Sequence, residues 1–369
     1  MAHSPVRTAV IGCGVISDTY LRNAARWSIL DIVAVADLDP ARSAAQAAKH
    51  GIPRAISPEE VMADPGIEAV LDLTVPAAHA SIGLAALRAG KSVYNEKPLA
   101  ISREDGRLLL DEAGARGLRV GAAPDTFLGA GLQTCRQLVD AGAIGTPVAA
   151  MATMLSRGPE RWHPDPAFLF AKGAGPLFDI GPYYLTALIS LFGPIRRVTG
   201  SGRISRPVRT VGSGPRAGTD FPVETPSHVA SVIDFVSGPI ATLVTSFDVW
   251  DPYRTSIEVL GTGGTLKVPD PNSFGGPIRL HDDGREDGTD VPLAFGHEEN
   301  SRGIGVADMA YAIRSGRQHR CSGELAYHVL DAMHAILEAS ATGRHVELTS
   351  TCERPAPLPA GLADDALDD

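Results

Sequence analysis

The first third of the chain alternates short apolar runs, rich in β-branched residues, with longer segments of helical periodicity. The apolar runs are 8–12, 32–37, 69–75, 92–95 and 118–122, and the helical segments between them are 16–27, 40–49, 77–89 and 102–116. Strands that are apolar along their whole length are typical of a parallel sheet with helices on both faces. The pattern therefore predicts a doubly wound α/β domain, of the Rossmann type, over residues 1–124.

After Pro124 the pattern changes. One more helical segment, 129–140, is followed by runs rich in Val, Ile and Thr that Gly and Pro turns separate. These runs are 147–156, 196–205, 228–235, 240–249, 256–268 and 278–281, and the helical segments among them are 178–191, 303–315 and 323–340. A mostly antiparallel sheet with a few helices is predicted for a second domain, 125–369. Within it, we expect a long loop at 206–219 and a disordered acidic tail at 360–369.

Length and composition narrow the classes of protein to consider. At about 150 residues per domain, 369 residues suffice for two domains. A net charge of −10 offers no basic surface for a nucleic acid. The first apolar run is too short for a membrane span, and the four cysteines show no paired spacing that would indicate disulfides or zinc. We expect a cytoplasmic protein with no metal site, no nucleic-acid partner and no membrane partner.

A glycine-rich turn, GCGVIS at residues 12–17, joins the first predicted strand to the first predicted helix. Such a turn lets the backbone approach a pyrophosphate, while the helix N-terminus offers N–H groups to the anion. Asp37 ends the second strand about 20 residues further on, where a carboxylate accepts hydrogen bonds from a ribose. Asp37 would repel the 2′-phosphate of NADP, and Arg42 would offset part of that repulsion, so we expect NAD, with NADP as the alternative. The predicted cofactor contacts here are Gly12, Gly14, Val15, Ile16, Asp37 and Arg42.

Two further motifs carry candidate chemistry. In YNEKP, residues 94–98, Lys97 ends the fourth predicted strand on the edge that holds the glycine turn, and its charge can orient a substrate hydroxyl or lower the pKa of a neighbouring group. The alternative is a surface lysine before a proline turn. In GAGPLFDIGPYY, residues 173–184, Asp179 and Tyr183 share a helix face if the helix begins near Asp179. The alternative is that Asp179 caps the helix and both tyrosines are core residues. If the helix begins one residue later, Tyr184 takes the functional position instead of Tyr183.

Together the three motifs resemble the glucose-fructose oxidoreductase, inositol dehydrogenase and rhizopine catabolism family (Gfo/Idh/MocA), from about residue 7 to 350. TVPAAH at 74–79 resembles its loop near the cofactor, and AGAIGTP at 141–147 resembles its link to the second domain. The resemblance implies a Rossmann domain, then an α/β domain with an open-faced antiparallel sheet, assembled as a homodimer or homotetramer. It adds these expected cofactor contacts: Thr74, Pro76, His79, Glu96 and Lys97.

The resemblance also implies the reaction. Family members transfer a hydride between nicotinamide and a carbinol or carbonyl carbon of a sugar, sugar acid or cyclic polyol. The resemblance assigns catalysis in this chain to Lys97, Asp179 and Tyr183. The family's usual acid–base residue at the position of Tyr183 is histidine, but glucose-fructose oxidoreductase and dihydrodiol dehydrogenase resemble this chain in having tyrosine. The charge of Lys97 would lower the pKa of the phenol, and Asp179 would hold the lysine charged.

Two other functions stay open. One is a dihydrodiol-dehydrogenase-like activity on a small diol, which predicts an apolar substrate pocket. The other is a dinucleotide sensor that binds the cofactor without catalysis, the chemistry having been lost with the histidine. Weaker candidates for substrate contact are Asp125, Trp162, His163 and Tyr184.

Overall fold

The computed structural model describes residues 3–251, 256–284, 287–362 and 366–367, and the chain divides into two compact units. The first unit contains Met1–Gly129, Ala294–Leu330 and Pro355–Asp369, and the second contains Ala130–Leu293 and Asp331–Arg354. The end of the N-terminal segment lies close to the predicted boundary at 124. The division differs from the prediction in that two later segments belong to the first unit rather than to the second.

The first unit is built on a parallel sheet. Its strands are β1 (Val6–Ile11), β2 (Leu30–Ala36), β3 (Ala55–Ile56), β4 (Ala69–Asp72), β5 (Ser92–Asn95) and β6 (Val120–Ala122). Its first five helices are α1 (Ser17–Ala24), α2 (Pro40–His50), α3 (Pro58–Ala63), α4 (Pro76–Arg88) and α5 (Arg103–Arg116). The strand order is β3-β2-β1-β4-β5-β6 with every pair parallel, which confirms the doubly wound prediction. The short β3 and α3 went unpredicted because two strand residues show no periodicity.

Local chemistry explains where these helices begin. Asp39 caps α2 by accepting a hydrogen bond from the Ala41 N–H, and Pro40 occupies the first turn, where no backbone donor is needed. Ser57 and Glu60 form a reciprocal capping box at the start of α3. Ser102 accepts from the Asp105 N–H at the start of α5. Each helix is therefore started by side chains of its own sequence.

The first unit also contains α9 (Ile304–Ser315), which the sequence placed in the second domain. Asp125, only 1% exposed, accepts hydrogen bonds through Oδ2 from the Gly303 N–H at 2.7 Å and the Gly305 N–H at 3.1 Å. Arg119 donates to the Ala312 carbonyl at 2.9 Å near the other end of the helix. These long-range contacts leave no periodic signal in the sequence. Substrate contact by Asp125 stays a prediction, since the contacts observed are structural.

Replacing Asp125 tests this cap through the pH dependence of stability. Burial raises the pKa of Asp125 from 3.8 to about 6, so the folded chain holds this proton more tightly than the unfolded chain. The contribution of Asp125 to stability is therefore fully present below pH 3.8 and is lost as the pH rises through about 6. Asp125→Asn keeps a hydrogen-bond acceptor without a charge. We expect this variant to lack the loss of about 3 kcal/mol in the free energy of unfolding that Asp125 causes between acid and neutral pH. Urea unfolding of both proteins at several pH values measures it; parallel pH curves would contradict the assignment.

The second unit is built on a nine-stranded sheet. Strands of this unit are β7 (Pro147–Leu155), β8 (Ile195–Arg203), β9 (Val208–Thr210), β10 (Asp220–Pro222), β11 (His228–Phe235), β12 (Ile240–Ser246), β13 (Ser256–Gly261), β14 (Thr265–Val268), β15 (Ile278–His281), β16 (Thr289–Val291) and β17 (Val346–Glu347). The helices of this unit are α6 (Ala130–Asp140), α7 (Gly175–Asp179) and α8 (Gly181–Phe192), while α10 (Gly323–Thr342) begins in the first unit and ends in the second. The order is β16-β15-β14-β13-β7-β12-β11-β8-β17, while β9 and β10 form a separate ribbon. All described pairs are antiparallel except β7 with β12, as predicted in the main.

The two faces of this sheet differ in exposure. Along β7, Ala150, Ala152 and Met154 are buried whereas Met151 is 47% exposed, and along β12 Ile240 is 48% exposed. Residues on alternate sides of a strand point to opposite faces, so one face is covered and the other carries exposed apolar side chains. The open-faced sheet implied by the resemblance is present.

Two expectations about loops need revision. The predicted loop 206–219 contains β9, which pairs with β10, and Arg209 on β9 is only 4% exposed. A buried arginine anchors this segment, a contact that its composition does not reveal. In the predicted disordered tail, residues 363–365 and 368–369 lie outside the described residues, whereas Leu367 is fully buried. Among the helices described, none combines the length and the apolar character needed to span a membrane.

Candidate active site

The glycine turn follows β1 at the carboxyl edge of the parallel sheet. Gly12 has a φ of 101°, and a Cβ at this position would lie 2.6 Å from the backbone carbon and oxygen of Leu73. No residue with a side chain fits there. A Cβ at Gly14 would meet no heavy atom within 4 Å, so this glycine borders open space. The turn is thus packed on its inner side and open where a pyrophosphate would approach, and the residues present fit a dinucleotide.

Asp37 holds the turn in place. The Cys13 N–H donates to Asp37 Oδ2 at 2.7 Å, and the Asp39 N–H donates to Oδ1 at 2.9 Å. Each carboxylate oxygen keeps a second lone pair, which a ribose hydroxyl can use. Burial and the Asp37 charge raise the pKa of the Cys13 thiol to about 11, so the thiol stays neutral beside the turn. Arg42 lies 3.6 Å from Asp39 and its side chain is 64% exposed.

Three exposed apolar side chains surround this part of the edge. Val15 is 97% exposed, Leu38 is 93% exposed and Val75 is 64% exposed. Apolar side chains that stand in solvent beside a nucleotide site suit the faces of an adenine ring. Val15 was predicted, whereas Leu38 and Val75 were missed. The one available signal for Leu38 was its position directly after the strand-end Asp37.

The loops after β4 and β5 are joined by a buried histidine. The two ring nitrogens of His79 lie 2.7 Å from the Pro98 carbonyl oxygen and 3.1 Å from the Thr74 carbonyl oxygen. Thr74 donates through its N–H and Oγ1 to Asp72 Oδ1 at 3.0 and 2.6 Å. His79 is fully buried, so in this structure it positions the loops. Direct cofactor contacts by Thr74, Pro76 and His79 stay predictions.

Lys97 follows β5 on the same edge of the sheet. Glu96 accepts a hydrogen bond from the Tyr20 hydroxyl at 2.8 Å and from the Lys97 N–H at 2.8 Å. Both oxygens of Glu96 are therefore used in shaping the start of the Lys97 loop. Lys97 itself is half-buried. The carboxyl ends of β1, β2, β4 and β5 thus carry the glycine turn, Asp37, Thr74 and Lys97 respectively, as the parallel topology predicts.

The choice between NAD and NADP can be tested at Asp37. We expect Asp37→Asn to lower the ratio of kcat/KM with NAD to kcat/KM with NADP by about tenfold or more, because it removes a like charge facing the 2′-phosphate. The amide oxygen can still accept from the Cys13 N–H, whereas the hydrogen bond from the Asp39 N–H is lost. Initial rates with both cofactors measure the ratio, and Asp31→Asn, on the exposed start of β2, is the control. An unchanged ratio would show that Asp37 does not select the cofactor.

The second unit contains a cavity of about 240 Å³ beside the junction of α7 and α8. The helix predicted over 178–191 corresponds to α8, which begins at Gly181, whereas Asp179 is the last residue of the preceding helix α7. The prediction that Asp179 and Tyr183 share a face of one helix is therefore wrong. Pro182 has no N–H to continue α7, which explains the break at Ile180. Residues lining the cavity include Trp162, Asp179, Tyr184, Phe247, Asp270 and Asn272.

The two tyrosines of α8 have different environments. Tyr184 lines the cavity, is fully buried, and its hydroxyl has no hydrogen-bond partner among the described residues. Burial and the Asp270 charge raise the pKa of Tyr184 far above its ordinary value, so this phenol is a poor base at neutral pH. Tyr183, 8% exposed, is not among the residues that line this cavity. Of the predicted residues, the structure brings Asp179, Tyr184 and Trp162 together.

Trp162 and His163, which are neighbours in the sequence, have different surroundings. Trp162 is 69% exposed and lines the cavity. His163 packs edge-on between Trp162 and Phe168, with ring centroids 5.5 and 5.4 Å away, and accepts from the Asp165 N–H. The predicted substrate contact of His163 is therefore not supported by this cavity. Asp270, which also lines the cavity, went unpredicted because it lies in a turn after β14 with no motif to distinguish it.

A glycine turn, a strand-end carboxylate and a strand-end lysine on one sheet edge define a protein of the dinucleotide-binding Rossmann class. Residues 6–123 match a family described as "Oxidoreductase family, NAD-binding Rossmann fold", and residues 132–267 match one described as "GFO/IDH/MocA C-terminal domain". The chain belongs to the Gfo/Idh/MocA family of NAD-binding oxidoreductases.

Individual relatives agree with this. Inositol 2-dehydrogenase 3 of Saccharopolyspora erythraea is 38% identical over 42% of this chain, a match that covers 46% of that relative's length. Trans-1,2-dihydrobenzene-1,2-diol dehydrogenase of Bos taurus is 28% identical over 84% of this chain and 87% of its own. The fold of levoglucosan dehydrogenase, solved with NADH and L-sorbose, matches with a TM-score of 0.81 at 22% identity, over 94% of this chain and 99% of that one.

Proposed function

We propose that this oxidoreductase is a dehydrogenase, or a reductase in the reverse direction, whose substrate is a sugar, sugar acid or cyclic polyol. The cavity beside α7 and α8 carries this proposal. The carboxylates of Asp179 and Asp270 accept hydrogen bonds from hydroxyl groups, and the exposed Trp162 offers an apolar face to a ring. The names of the inositol dehydrogenase and of a 1,5-anhydro-D-fructose reductase from Ensifer adhaerens, 34% identical over 39% of this chain and 44% of its own, support the same substrate class.

The catalytic roles follow the order of the family's motifs. Bound NAD supplies the acceptor for the hydride that leaves the substrate carbon. The family resemblance assigns the transfer of the hydroxyl proton to Tyr183, the orientation of the reacting hydroxyl to Lys97 and a supporting role to Asp179. Tyr183 is assigned by its place in the family's motif, four residues after Asp179, and Tyr184, which lines the cavity, is the alternative.

The proposal is tested by following nicotinamide reduction in the near ultraviolet with NAD and NADP separately. The panel contains sugars, sugar acids, inositols and small diols, with the matching ketones and NADH for the reverse direction. Turnover of a sugar or polyol is expected. Binding of NAD by calorimetry without turnover of any compound would instead favour the dinucleotide sensor.

The activity on a small diol is the second candidate. It is favoured by the apolar part of the cavity wall and by the long match to the Bos taurus enzyme. The apolar lining residues are Met154, Leu155, Pro159, Trp162, Ile180 and Phe247. Turnover of a benzene dihydrodiol in preference to every sugar and inositol would select this candidate. The paired carboxylates of Asp179 and Asp270 favour the more hydroxylated substrates.

The assembly expected is a homodimer or homotetramer formed through the open face of the nine-stranded sheet. Met151 and Ile240 on that face are about half exposed, and Met151 stands opposite Glu258 in the pairing of β7 with β13. We expect Met151→Glu to lower the oligomeric mass in light scattering, since it places a second carboxylate beside Glu258. Glu104→Gln, on the surface of α5, is the control. An unchanged mass would argue against this face.

The cysteine pattern supports a cytoplasmic location, which cell fractionation tests.

A further inference from the structure

The second unit contains another cavity, of about 410 Å³, that the proposed reaction does not use. Its wall has more arginines than carboxylates, although the whole chain has a net charge of −10. The charged residues that line it are Arg157, Arg161, Arg206, Arg209, Glu160 and Asp248. We call this the arginine cavity. Four guanidinium groups around one cavity raise the question of what balances their charge.

Arg209 and the two carboxylates form a closed group. Arg209 is buried, donates to Glu160 Oε1 at 2.6 Å and to Asp248 Oδ1, and stacks on Phe170 with its Cζ 4.8 Å from the ring centroid. The second oxygen of Asp248 accepts from the Ser227 hydroxyl at 2.7 Å. The second oxygen of Glu160 is packed against Gly158, where a Cβ would lie 2.1 Å from it. Asp248 therefore has both oxygens paired, whereas Glu160 Oε2 is buried without a hydrogen-bond partner among the described residues.

The other three arginines have no carboxylate partner among the described residues. Arg161 stacks over the Trp250 ring with its Cζ 4.5 Å from the centroid, and Arg157 lies 5.4 Å from the same centroid. Arg157 also donates its Nε–H to the Trp250 carbonyl oxygen at 2.9 Å. Stacking restrains the planes of both guanidinium groups while their N–H edges keep donors for a ligand. Arg206 lines the same cavity on the approach to β9.

The side chains of these three arginines are exposed, so water and salt weaken their mutual repulsion, and an anion bound between them weakens it further. Planar guanidinium groups match the oxygens of carboxylate and phosphate, to which they donate in pairs. We propose that the arginine cavity binds an oxyanion, the carboxylate or phosphate group of the substrate, so that the preferred substrate is an acidic sugar derivative. This inference rests on the proposed function, because it assigns the oxyanion to the molecule that is oxidised.

The two cavities are neighbours. Phe247 lines both of them. Ser156 and Pro159 line the cavity beside α8, while Arg157 and Glu160, the residues that directly follow them, line the arginine cavity. Phe247, which is buried, is part of both walls, so a ligand that fills both cavities must extend past it to place hydroxyl groups near Asp179 and an anionic group near Arg161. A sugar acid or sugar phosphate has both kinds of group.

The test combines direct binding with a matched substrate series. Calorimetry with inorganic phosphate and with glucuronate is carried out on the intact protein, its Arg161→Gln and Arg206→Gln variants, and the control Arg344→Gln, whose side chain is on the surface after α10. We expect both ligands to bind the wild type and the control alike, and each of the two cavity variants to bind about 10- to 100-fold more weakly. Glucose, glucuronate and glucose 6-phosphate share a ring and differ at one carbon, so kcat/KM across them distinguishes a carboxylate from a phosphate.

The outcomes separate this inference from the proposed function. Weaker binding in the cavity variants, with kcat/KM reduced for the acidic sugars and unchanged for glucose, supports the oxyanion subsite. Turnover of neutral sugars with no phosphate or glucuronate binding, or equal binding in the wild type and Arg161→Gln, overturns it and leaves the dehydrogenase standing. Binding that depends on Arg161 in a protein that oxidises no sugar overturns the assignment to the substrate. A change of Trp250 fluorescence on adding phosphate gives a readout independent of activity.

Discussion

Lys97→Ala is expected to lower kcat about 10²- to 10⁴-fold while NAD binding is largely retained. The lysine follows β5 at the carboxyl edge of the parallel sheet, where the Glu96 carboxylate fixes its backbone N–H at 2.8 Å. Truncation at Cβ leaves this backbone contact in place, so the loop keeps its shape. What disappears is the ammonium group that orients the reacting hydroxyl and stabilises a phenolate. Steady-state rates measure the loss, and calorimetry with NAD measures cofactor binding.

Two further variants make the result specific. Lys97→Arg keeps the charge but changes its geometry, and should recover part of the activity over alanine. Lys49→Ala removes a surface lysine of α2 that pairs with Asp18, and should leave kcat within the error of the assay. If Lys97→Ala turned over substrate as fast as the wild type, Lys97 would be excluded from the chemistry. The dinucleotide sensor would then gain support if no substrate were found.

Tyr183→Phe is expected to reduce kcat by about 10²-fold or more, whereas Tyr184→Phe should change it little. Each variant removes one hydroxyl oxygen and keeps the ring, so packing in α8 is preserved. The Tyr184 hydroxyl is buried without a hydrogen-bond partner among the described residues, and the pKa of this phenol is raised by burial and by Asp270. A phenol that resists ionisation is a poor base near neutral pH, which is why we expect the larger loss in Tyr183→Phe.

The pair of variants also serves as its own control, because the two residues are neighbours in the first turn of one helix. Removing the unpaired Tyr184 hydroxyl from a buried site should leave stability unchanged or slightly raised. In the direction of oxidation Tyr183 acts as a base, so the rise of kcat with pH should be lost only in Tyr183→Phe. A large loss of kcat in Tyr184→Phe alone would move the catalytic role to Tyr184 and to the cavity that it lines.

The sequence predicted the parts of the fold that depend on neighbours along the chain. Strand–turn–helix units have a periodicity that is readable over ten residues, and the parallel order places the residues that follow each strand on one edge. For this reason the sequence alone predicts that the glycine turn, Asp37 and Lys97 lie on one edge. The resemblance to the family depended on the same local strings, and the matches over residues 6–123 and 132–267 confirm it.

The break between α7 and α8 was predicted only in part from the sequence. Pro182 was visible, but proline is tolerated in the first turn of a helix, so the sequence allowed either a helix from Asp179 or a new start beyond it. Packing decided for the new start and placed Tyr184 rather than Tyr183 in the wall of the cavity. The sequence had left both tyrosines open for that reason.

What only the tertiary structure decided depends on residues far apart in the chain. Asp125 caps α9 across 178 positions, which moves a late helix into the first unit. Arg209, in a stretch predicted to be a loop, is buried between Glu160 and Asp248, and three further arginines gather beside it. Burial and ion pairing between distant segments have no period and no fixed spacing, because they arise only when the elements pack. The sequence thus determined the family and which residues lie at the carboxyl edge of the parallel sheet. The packing of the chain determined which arginines have no carboxylate partner among the described residues.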